Sequence, residues 1–545
     1  MEKLRSVDIG YVIEVNGERA FVELTADPTR PLGDDYYPGQ PGSYVKIPFK
    51  DFQIIGTVSS IRMQRYPGEG GGGLSASGRK VAECVLLGTL EKESRFFRGM
   101  AIYPNVGQPV QMVSIRELDQ IFSEFSEFGF SFGCPSNARG QKVYVQVNRF
   151  FGGHIAVLGT TGSGKSCTVA TILQRTIKKY PYTHIVVLDL HGEYARAFPE
   201  GVNLINAGNI ELPYWLLNFD EFVDLTVDVN EPSAKNQLTV LRDSLLRARQ
   251  AWDTRERLGL GGQITADSPV YYDLDELLAM LRDWNIQMVY NAAGVQEPGP
   301  LYGVFDKFLI RMDSRVSDPR YHFMFKPKTY TGSPNFIDLL RDYLSIDAPH
   351  QMTIVDLSGV PSDAIGVIVA VVTRIIFEFN LWNPERERCP ILLVLEEAHN
   401  YVPSRSDGRF TSARAAVERI TKEGRKYGIG MIIVSQRPKE LSETVLSQCN
   451  TFISMRLTNP EDQDYVRRLV PDSLAGLMEM LPALRTGEAL ILGEAVPMPT
   501  RMLIDLPDPK PESGDIEFAK WWAQGTKTLD LERLVKRWRV RRRDI

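Results

Sequence analysis

Residues Gly159-Thr160-Thr161-Gly162-Ser163-Gly164-Lys165-Ser166 fill every position of the pattern G-x-x-x-x-G-K-[ST]. Glycines at these spacings let the backbone wrap a chain of phosphates and aim its N–H groups at them from a helix N-terminus. Lys165 supplies a point charge for the β- and γ-phosphates, and the Ser166 hydroxyl is a ligand for Mg²⁺. The flanks suit the motif: Ile155-Ala156-Val157-Leu158 is a short apolar run of the kind buried in parallel sheets, and Thr168 to Leu173 has helical apolar spacing. A plain glycine-rich turn is the competing reading, and the filled motif in a strand-loop-helix context outweighs it. Residues 159–166 together with Cys167 are the candidate contacts to a nucleoside triphosphate.

Hydrolysis needs more than binding. Ile391-Leu392-Leu393-Val394-Leu395 is fully apolar and ends in Glu396-Glu397-Ala398-His399. Carboxylates at the C-terminal end of a parallel strand face the ligand crevice. Glu396 falls at the metal-side acidic position, a Mg²⁺ ligand with Ser166, and Glu397 is placed to orient or deprotonate water. Two acidic residues starting a surface helix are the alternative. A further strand, Met431-Ile432-Ile433-Val434, ends in Ser435-Gln436-Arg437-Pro438, and the Gln436 amide suits a γ-phosphate or the attacking water. Glu423-Gly424-Arg425-Lys426-Tyr427-Gly428 forms a basic turn ahead of that strand. Arg425 is either a cation that reaches across a subunit boundary to stabilise transition-state charge or an ordinary helix C-terminal cation.

The elements that must hold these residues are legible in outline. At 545 residues the chain exceeds one typical domain. Residues 1–115 read as a small β-barrel or sandwich: Tyr11–Val15 and Ala20–Leu24 flank Asn16-Gly17, a hairpin signal, and Tyr44–Ile47, Ile54–Val58 and Cys84–Gly88 are further strands. Gly68 to Gly73 reads as a loop tip. From residue 116 the pattern alternates between strands, Val143–Val147, Ile155–Leu158 and His184–Asp189 among them, and helices. Residues 215–345 interrupt it with helical segments such as 236–249 and 274–284, and strands resume over 346–506 with Met352–Leu357. This is an α/β core, a mostly parallel sheet covered on both faces. Residues 507–545 form a Pro-rich, then basic tail in which Lys536 to Arg543 surround Trp538. Five scattered cysteines without a C-x-x-C pair suit reduced thiols rather than a disulfide frame or zinc site. No uninterrupted apolar run of about 18 residues suggests a membrane span, and Met1 to Arg5 lack a secretion signal's apolar start. The expected location is the cytoplasm. A net charge of −5 argues against a protein coated in nucleic acid but permits a local basic channel.

Taken together, the phosphate loop, Asp189-Leu190-His191-Gly192-Glu193-Tyr194, the acidic pair with Ala398-His399, and Glu423 to Gly428 running into Val434-Ser435-Gln436-Arg437-Pro438 resemble the HerA branch of the HerA–FtsK group of DNA-translocating ATPases. The N-terminal β unit, opening with Ile9-Gly10-Tyr11-Val12, is similar to that family's barrel domain. The resemblance implies a P-loop core of the RecA/FtsK kind with an N-terminal small β-barrel and a helical insertion. It also implies a homohexameric ring with ATP and Mg²⁺ between neighbours and double-stranded DNA in the channel. By position it assigns Lys165 and Ser166 to nucleotide and metal, Glu396 and Glu397 to the acidic pair, Gln436 to γ-phosphate sensing and Arg425 to the neighbour's site. Asp189 and Glu193 would shape the pocket. Leu190 stands where the family often has proline. Such rings work with a partner, a NurA-type nuclease in DNA end processing or a sirtuin-like or nuclease effector in antiphage defence. An effector-assembling ATP-binding scaffold and a protein-remodelling ATPase are the other readings. In a translocase, the loop Ser404-Arg405-Ser406-Asp407-Gly408-Arg409 would use Arg405 and Arg409 to grip DNA phosphates; otherwise it is a solvated loop.

Overall fold

The computed structural model describes residues 8–26, 39–64, 79–91, 95–138, 140–228, 231–405, 410–514, 516–525 and 528–540. The glycine-rich run 68–73, Arg409 and the last basic residues 541–545 lie outside the described residues.

The N-terminal unit is built from β1 (Asp8–Asn16), β2 (Arg19–Leu24), β3 (Tyr44–Phe49), β4 (Phe52–Gln64), β5 (Arg79–Glu91), β6 (Phe96–Arg98) and β7 (Pro109–Met112). Their order is β2-β1-β7-β3-β4-β5, and β2 also pairs with β5. Six strands therefore close into a barrel and leave only β6 attached beside β5. Closure needs curvature, and two register shifts in the long β4–β5 pair, at Ile55/Gly56 and Val58/Ser60, supply it. Alternation does the rest: every second residue of β2 is buried, and Val12, Val22, Ile47, Ile54 and Val110 fill the interior. The hairpin read at Asn16-Gly17 is present, with Gly17 at φ 57°. The barrel sits on the core through Tyr44, whose hydroxyl donates to Pro499 O (2.9 Å).

Next come α1 (Ile115–Phe122), the short strands β8 (Phe130–Ser131), β9 (Gly133–Pro135) and β10 (Tyr144–Val145), and α2 (Val147–Gly152). The strand expected over Val143–Val147 is thus only two residues long. The Gln146 side chain accepts from Arg149 N (2.9 Å) and starts a helix instead. The core follows with β11 (Ile155–Leu158), α3 (Lys165–Lys179), β12 (His184–Asp189) and β13 (Val202–Ile205). Helices α4 (Phe219–Thr226), α5 (Ala234–Glu256), α6 (Leu274–Asn285), α7 (Asp306–Ser317), α8 (His322–Phe325) and α9 (Phe336–Leu344) follow, with the small hairpin β14 (Met288–Tyr290) and β15 (Gln296–Pro298) between α6 and α7. The core resumes with β16 (Met352–Asp356), α10 (Ser362–Trp382), β17 (Ile391–Leu395), α11 (Thr411–Glu423), β18 (Ile429–Ser435), α12 (Glu443–Ser447), β19 (Thr451–Ser454), α13 (Pro460–Leu469), α14 (Ala475–Met478), β20 (Glu488–Gly493) and β21 (Thr500–Ile504). Helices α15 (Phe518–Gln524) and α16 (Leu531–Val540) end the described chain.

The core sheet runs β13-β16-β12-β17-β18-β11-β19-β20-β21-β9, parallel from β13 to β19 and antiparallel beyond. Every residue of β11, β17 and β18 is buried, as strands covered on both faces must be. Helix α10 is apolar enough to span a bilayer by composition, yet 78% of its most apolar window is buried inside the protein. It is a core helix. Its Arg374 pairs with Glu221 of α4 (2.8 Å) and donates to Leu216 O (2.7 Å), all buried, which ties the helical insertion to the core.

One consequence of the strand order governs the site. β12, β17, β18 and β11 are consecutive neighbours, so the segments that follow them emerge side by side at one edge of the sheet.

Candidate active site

The phosphate loop joins β11 to α3. Gly164 has φ 106°, and a Cβ there would come within 3.2 Å of Met455 Cε and 3.4 Å of Gly487 N. Only glycine suits both constraints. The loop is held from outside: Thr160 N and Oγ1 donate to Arg456 O (2.9 and 3.0 Å), and Gly487 N donates to Ser163 O (3.0 Å). Thr486 Oγ1 donates to Gly162 O (3.3 Å). Arg456 follows β19, and Gly487 precedes β20, so the antiparallel end of the sheet clamps the loop. Thr161 and Gly162 are exposed at its tip, while Ser163 and Lys165 are buried and Ser166 and Cys167 half-buried.

The loop after β17 faces it. Glu397 Oε1 lies 4.0 Å from Lys165 Nζ, which also donates to Thr160 O (3.4 Å). Glu397 has φ 47°, a left-handed conformation that costs a non-glycine residue about 1–3 kcal/mol and collects at functional sites. Its carbonyl accepts from Asn400 N and Nδ2 (both 3.0 Å), which fixes the turn. Its Oε2 accepts from Gln436 N (3.4 Å) and lies 3.3 Å from His399 Nδ1. Burial raises the Glu397 carboxyl above its ordinary range, opposed by the charge of Lys165 and the Gln436 N–H. His399 is held down at about 4 by burial, with Arg437 and Lys165 adding to the effect and Glu440 opposing it. Its imidazole is therefore neutral near pH 7, with Nδ1 3.2 Å from Ser435 Oγ. The Gln436 side chain accepts from Thr161 Oγ1 (2.6 Å), linking the end of β18 directly to the phosphate loop.

Glu396 behaves differently. It is 2% exposed, and its Oε2 accepts from Tyr194 Oη (2.6 Å). Burial and the nearby charges of Glu397, Asp189 and Glu193 raise it, while the tyrosine bond works the other way. Asp189 is fully buried and accepts from the backbone N–H groups of His191 (3.3 Å), Gly192 (2.9 Å) and Tyr194 (2.9 Å). Burial carries it up to about 6, beside Asp356 on the next strand and against these bonds. Gly192, at φ 74°, would set a Cβ 3.0 Å from both Asp356 carboxylate oxygens. The segment Asp189 to Tyr194 is thus a tight acid-nucleated turn that delivers the Tyr194 hydroxyl to Glu396. Glu193 is half-buried, its Oε2 shielded and without a hydrogen-bond partner among the described residues.

Lys165, Glu396, Glu397, Gln436 and the 189–194 turn therefore meet at one sheet edge. Arg425 does not. It is exposed and lies ahead of β18, and with His184, Ile391 and Ile429 it lines a cavity of about 510 Å³ at the strand starts. That is the opposite edge of the sheet from Glu397. Arg405 is exposed on the phosphate-loop side, where Ser404 N donates to Glu440 O (2.7 Å).

Four structural contributors lie beyond the candidates read from motif spacing. Tyr194 and His399 belong to quoted motifs, but the bond from Tyr194 to Glu396 spans 202 positions and leaves no local trace. The Arg456 carbonyl and Gly487 act through their backbones, which carry no residue-type signal.

A family model for the central domain of the helicase HerA matches residues 130–376. The chain is 28% identical over 450 residues to the DNA double-strand break repair helicase HerA of Sulfurisphaera tokodaii, covering 80% of each protein. It is 25% identical over 569 residues to a probable helicase of Methanocaldococcus jannaschii, covering 96% of this chain and 97% of that one. Among solved structures it is similar to VirB4 of Thermoanaerobacter pseudethanolicus, with a TM-score of 0.47 and 16% identity over 69% of this chain and 96% of that one. The chain is thus matched in its central domain by the HerA model and is similar along most of its length to several HerA helicases.

Proposed function

We propose that this protein is an ATP hydrolase that works as a homohexameric ring and translocates along double-stranded DNA in the cytoplasm. A separate nuclease or other effector would act on the DNA it delivers, in end processing or antiphage defence. The observation that carries the reading is the convergence of Lys165, Glu397 and Gln436 at one sheet edge, with Arg425 at the other. A motor ring needs this division, because each interface then joins one subunit's nucleotide edge to the next subunit's arginine.

The donor set fits a triphosphate: an ammonium, a hydroxyl and loop N–H groups at a helix start. Lys165 binds the β- and γ-phosphates in the ground state. Ser166 and Glu396 would hold Mg²⁺, directly or through water, and the ion would supply positive charge to the phosphates. Tyr194 fixes the Glu396 carboxyl for that task. Glu397 accepts the proton of the attacking water, and its raised proton affinity makes it a better base than an exposed glutamate. Gln436 orders the water or senses the γ-phosphate while its contact with Thr161 reports on the loop. Arg425 of the neighbour stabilises the charge that develops on the transferred phosphoryl group. Arg405, with Arg409, grips DNA phosphates.

Titration of purified protein with linear duplex DNA while ATP turnover is followed tests this reading. Duplex should raise turnover severalfold, and Lys165→Ala should remove both basal and stimulated activity. Turnover indifferent to duplex at any salt concentration would instead favour an ATP-binding scaffold or a protein-remodelling machine.

A further inference from the structure

The segment after β21 runs back along α3 towards the phosphate loop. Thr171 Oγ1 donates to Asp505 O (2.8 Å), and Arg175 pairs with the Asp505 carboxylate (3.2 Å). Gln174 then brackets the chain twice, its Nε2 donating to Pro509 O (2.9 Å) and its Oε1 accepting from Asp508 N (3.0 Å). Three residues on, Glu512 N donates to Glu193 O (2.8 Å). Pro507 and Pro511 are buried, while Lys510, Glu512 and Ser513 stay exposed. The strap is therefore pinned at both ends of a short polar stretch. The Ser513 side chain hydrogen-bonds with the Cys167 side chain, and Lys510 lies near enough for its charge to act there. Cys167 directly follows Ser166 in the phosphate loop. On the nucleotide reading above, terminal phosphates on Lys165 would direct the nucleoside past Ser166 and Cys167 towards this strap.

We propose that Lys510, Glu512 and Ser513 form the nucleoside wall of the site, recognising the sugar hydroxyls and base edge of a purine ribonucleotide. The chemistry suits that ligand. A carboxylate accepts from ribose hydroxyls, while an ammonium and a hydroxyl donate to purine ring nitrogens and the hydroxyl oxygen accepts from an exocyclic amine. Backbone groups pinned by α3 hold these side chains at little entropic cost on binding.

The inference rests on the nucleotide reading above, and inorganic tripolyphosphate separates the two. It offers the phosphate loop its anion with no nucleoside attached. Two full-length variants serve: Lys510→Ala/Glu512→Ala/Ser513→Ala, which strips the wall, and Gln174→Ala, which unpins it from α3 without entering it. Calorimetric titration with ATP and with tripolyphosphate should show ATP affinity falling about tenfold in the triple variant and less in Gln174→Ala, with tripolyphosphate affinity unchanged within about twofold, as expected where only nucleoside contacts are lost. Equal losses for both ligands would overturn the proposal, because the strap would then merely support the loop. Unchanged ATP affinity in the triple variant would overturn it too. Wild-type protein that binds neither ligand would instead sink the nucleotide reading, and this inference with it.

Discussion

Arg425 offers the sharpest prediction, because its place in the fold forbids one answer. β18 has seven residues, Ile429–Ser435, and at about 3.3 Å per residue it separates Arg425 from the Gln436 end by roughly 20 Å. An arginine side chain spans only a fraction of that, so Arg425 cannot reach the phosphates bound by its own Lys165. If it is catalytic it acts on the next subunit. Arg425→Ala should leave ATP affinity within about twofold, since its charge matters in the transition state, and cut turnover by about 10³-fold or more. Glu397→Gln should be comparably slow through the loss of the base. In rings mixed one to one, a site is intact when an Arg425→Ala subunit supplies Glu397 and its neighbour, a Glu397→Gln subunit, supplies Arg425. Random placement makes about a quarter of interfaces intact, so turnover should climb from near zero to as much as roughly a quarter of wild type. The assay is steady-state ATP turnover against mixing ratio, with subunit exchange verified by tagging one variant. Rings shown to be mixed that stay inactive at every ratio would refute the reasoning.

Lys165→Ala should lose nucleotide binding, whereas Glu397→Gln should retain it and lose turnover; equilibrium binding beside turnover separates the two. Tyr194→Phe removes the hydroxyl that donates to buried Glu396, a loss of about 1–3 kcal/mol for a buried acceptor left without its partner. Turnover should fall about tenfold or more with weaker Mg²⁺ dependence, and a wild-type Mg²⁺ titration would clear Tyr194 of that role. Glu488 is buried at the start of β20, next to Gly487, whose N–H braces Ser163. Burial pushes its carboxyl up, but bonds from Arg501 and Arg485 outweigh this and take it down to about 2. A depressed carboxyl stabilises the fold above its unfolded value and loses that contribution as pH falls through its folded value. Glu488→Gln should therefore lower the melting temperature at pH 7, with the gap to wild type closing between about pH 4.5 and about pH 2. A gap independent of pH would show that the charge is not what matters.

The parts legible in the sequence were those where chemistry is local. The phosphate loop, the acidic pair and Gln436 each sit directly after an apolar strand, and such runs are readable because parallel strands buried on both faces admit no polar alternation. The helical insertion announced itself through spacing at 236–249 and 274–284, and α5 and α6 stand there. Val143–Val147 misled because a five-residue alternating stretch does not reveal that Gln146 will cap a helix. β13, β19 and the β20–β21 hairpin were not read at all, being short and defined by pairing with strands far away in sequence. The strap over α3 likewise looked like a Pro-rich tail, since its anchors, Gln174 and Glu193, lie more than 300 positions earlier. The left-handed backbone of Glu397 is a property of the folded site and has no counterpart in residue type.

The central claim is that ATP turnover at this edge drives movement along duplex DNA. The most direct measurement is displacement of a fluorescent triplex-forming strand from a linear duplex, followed in time after ATP is added. The account predicts ATP-dependent release after a lag that lengthens with distance from the duplex end, with no release by Glu397→Gln. Duplex-stimulated ATP turnover with no displacement at any distance would contradict it.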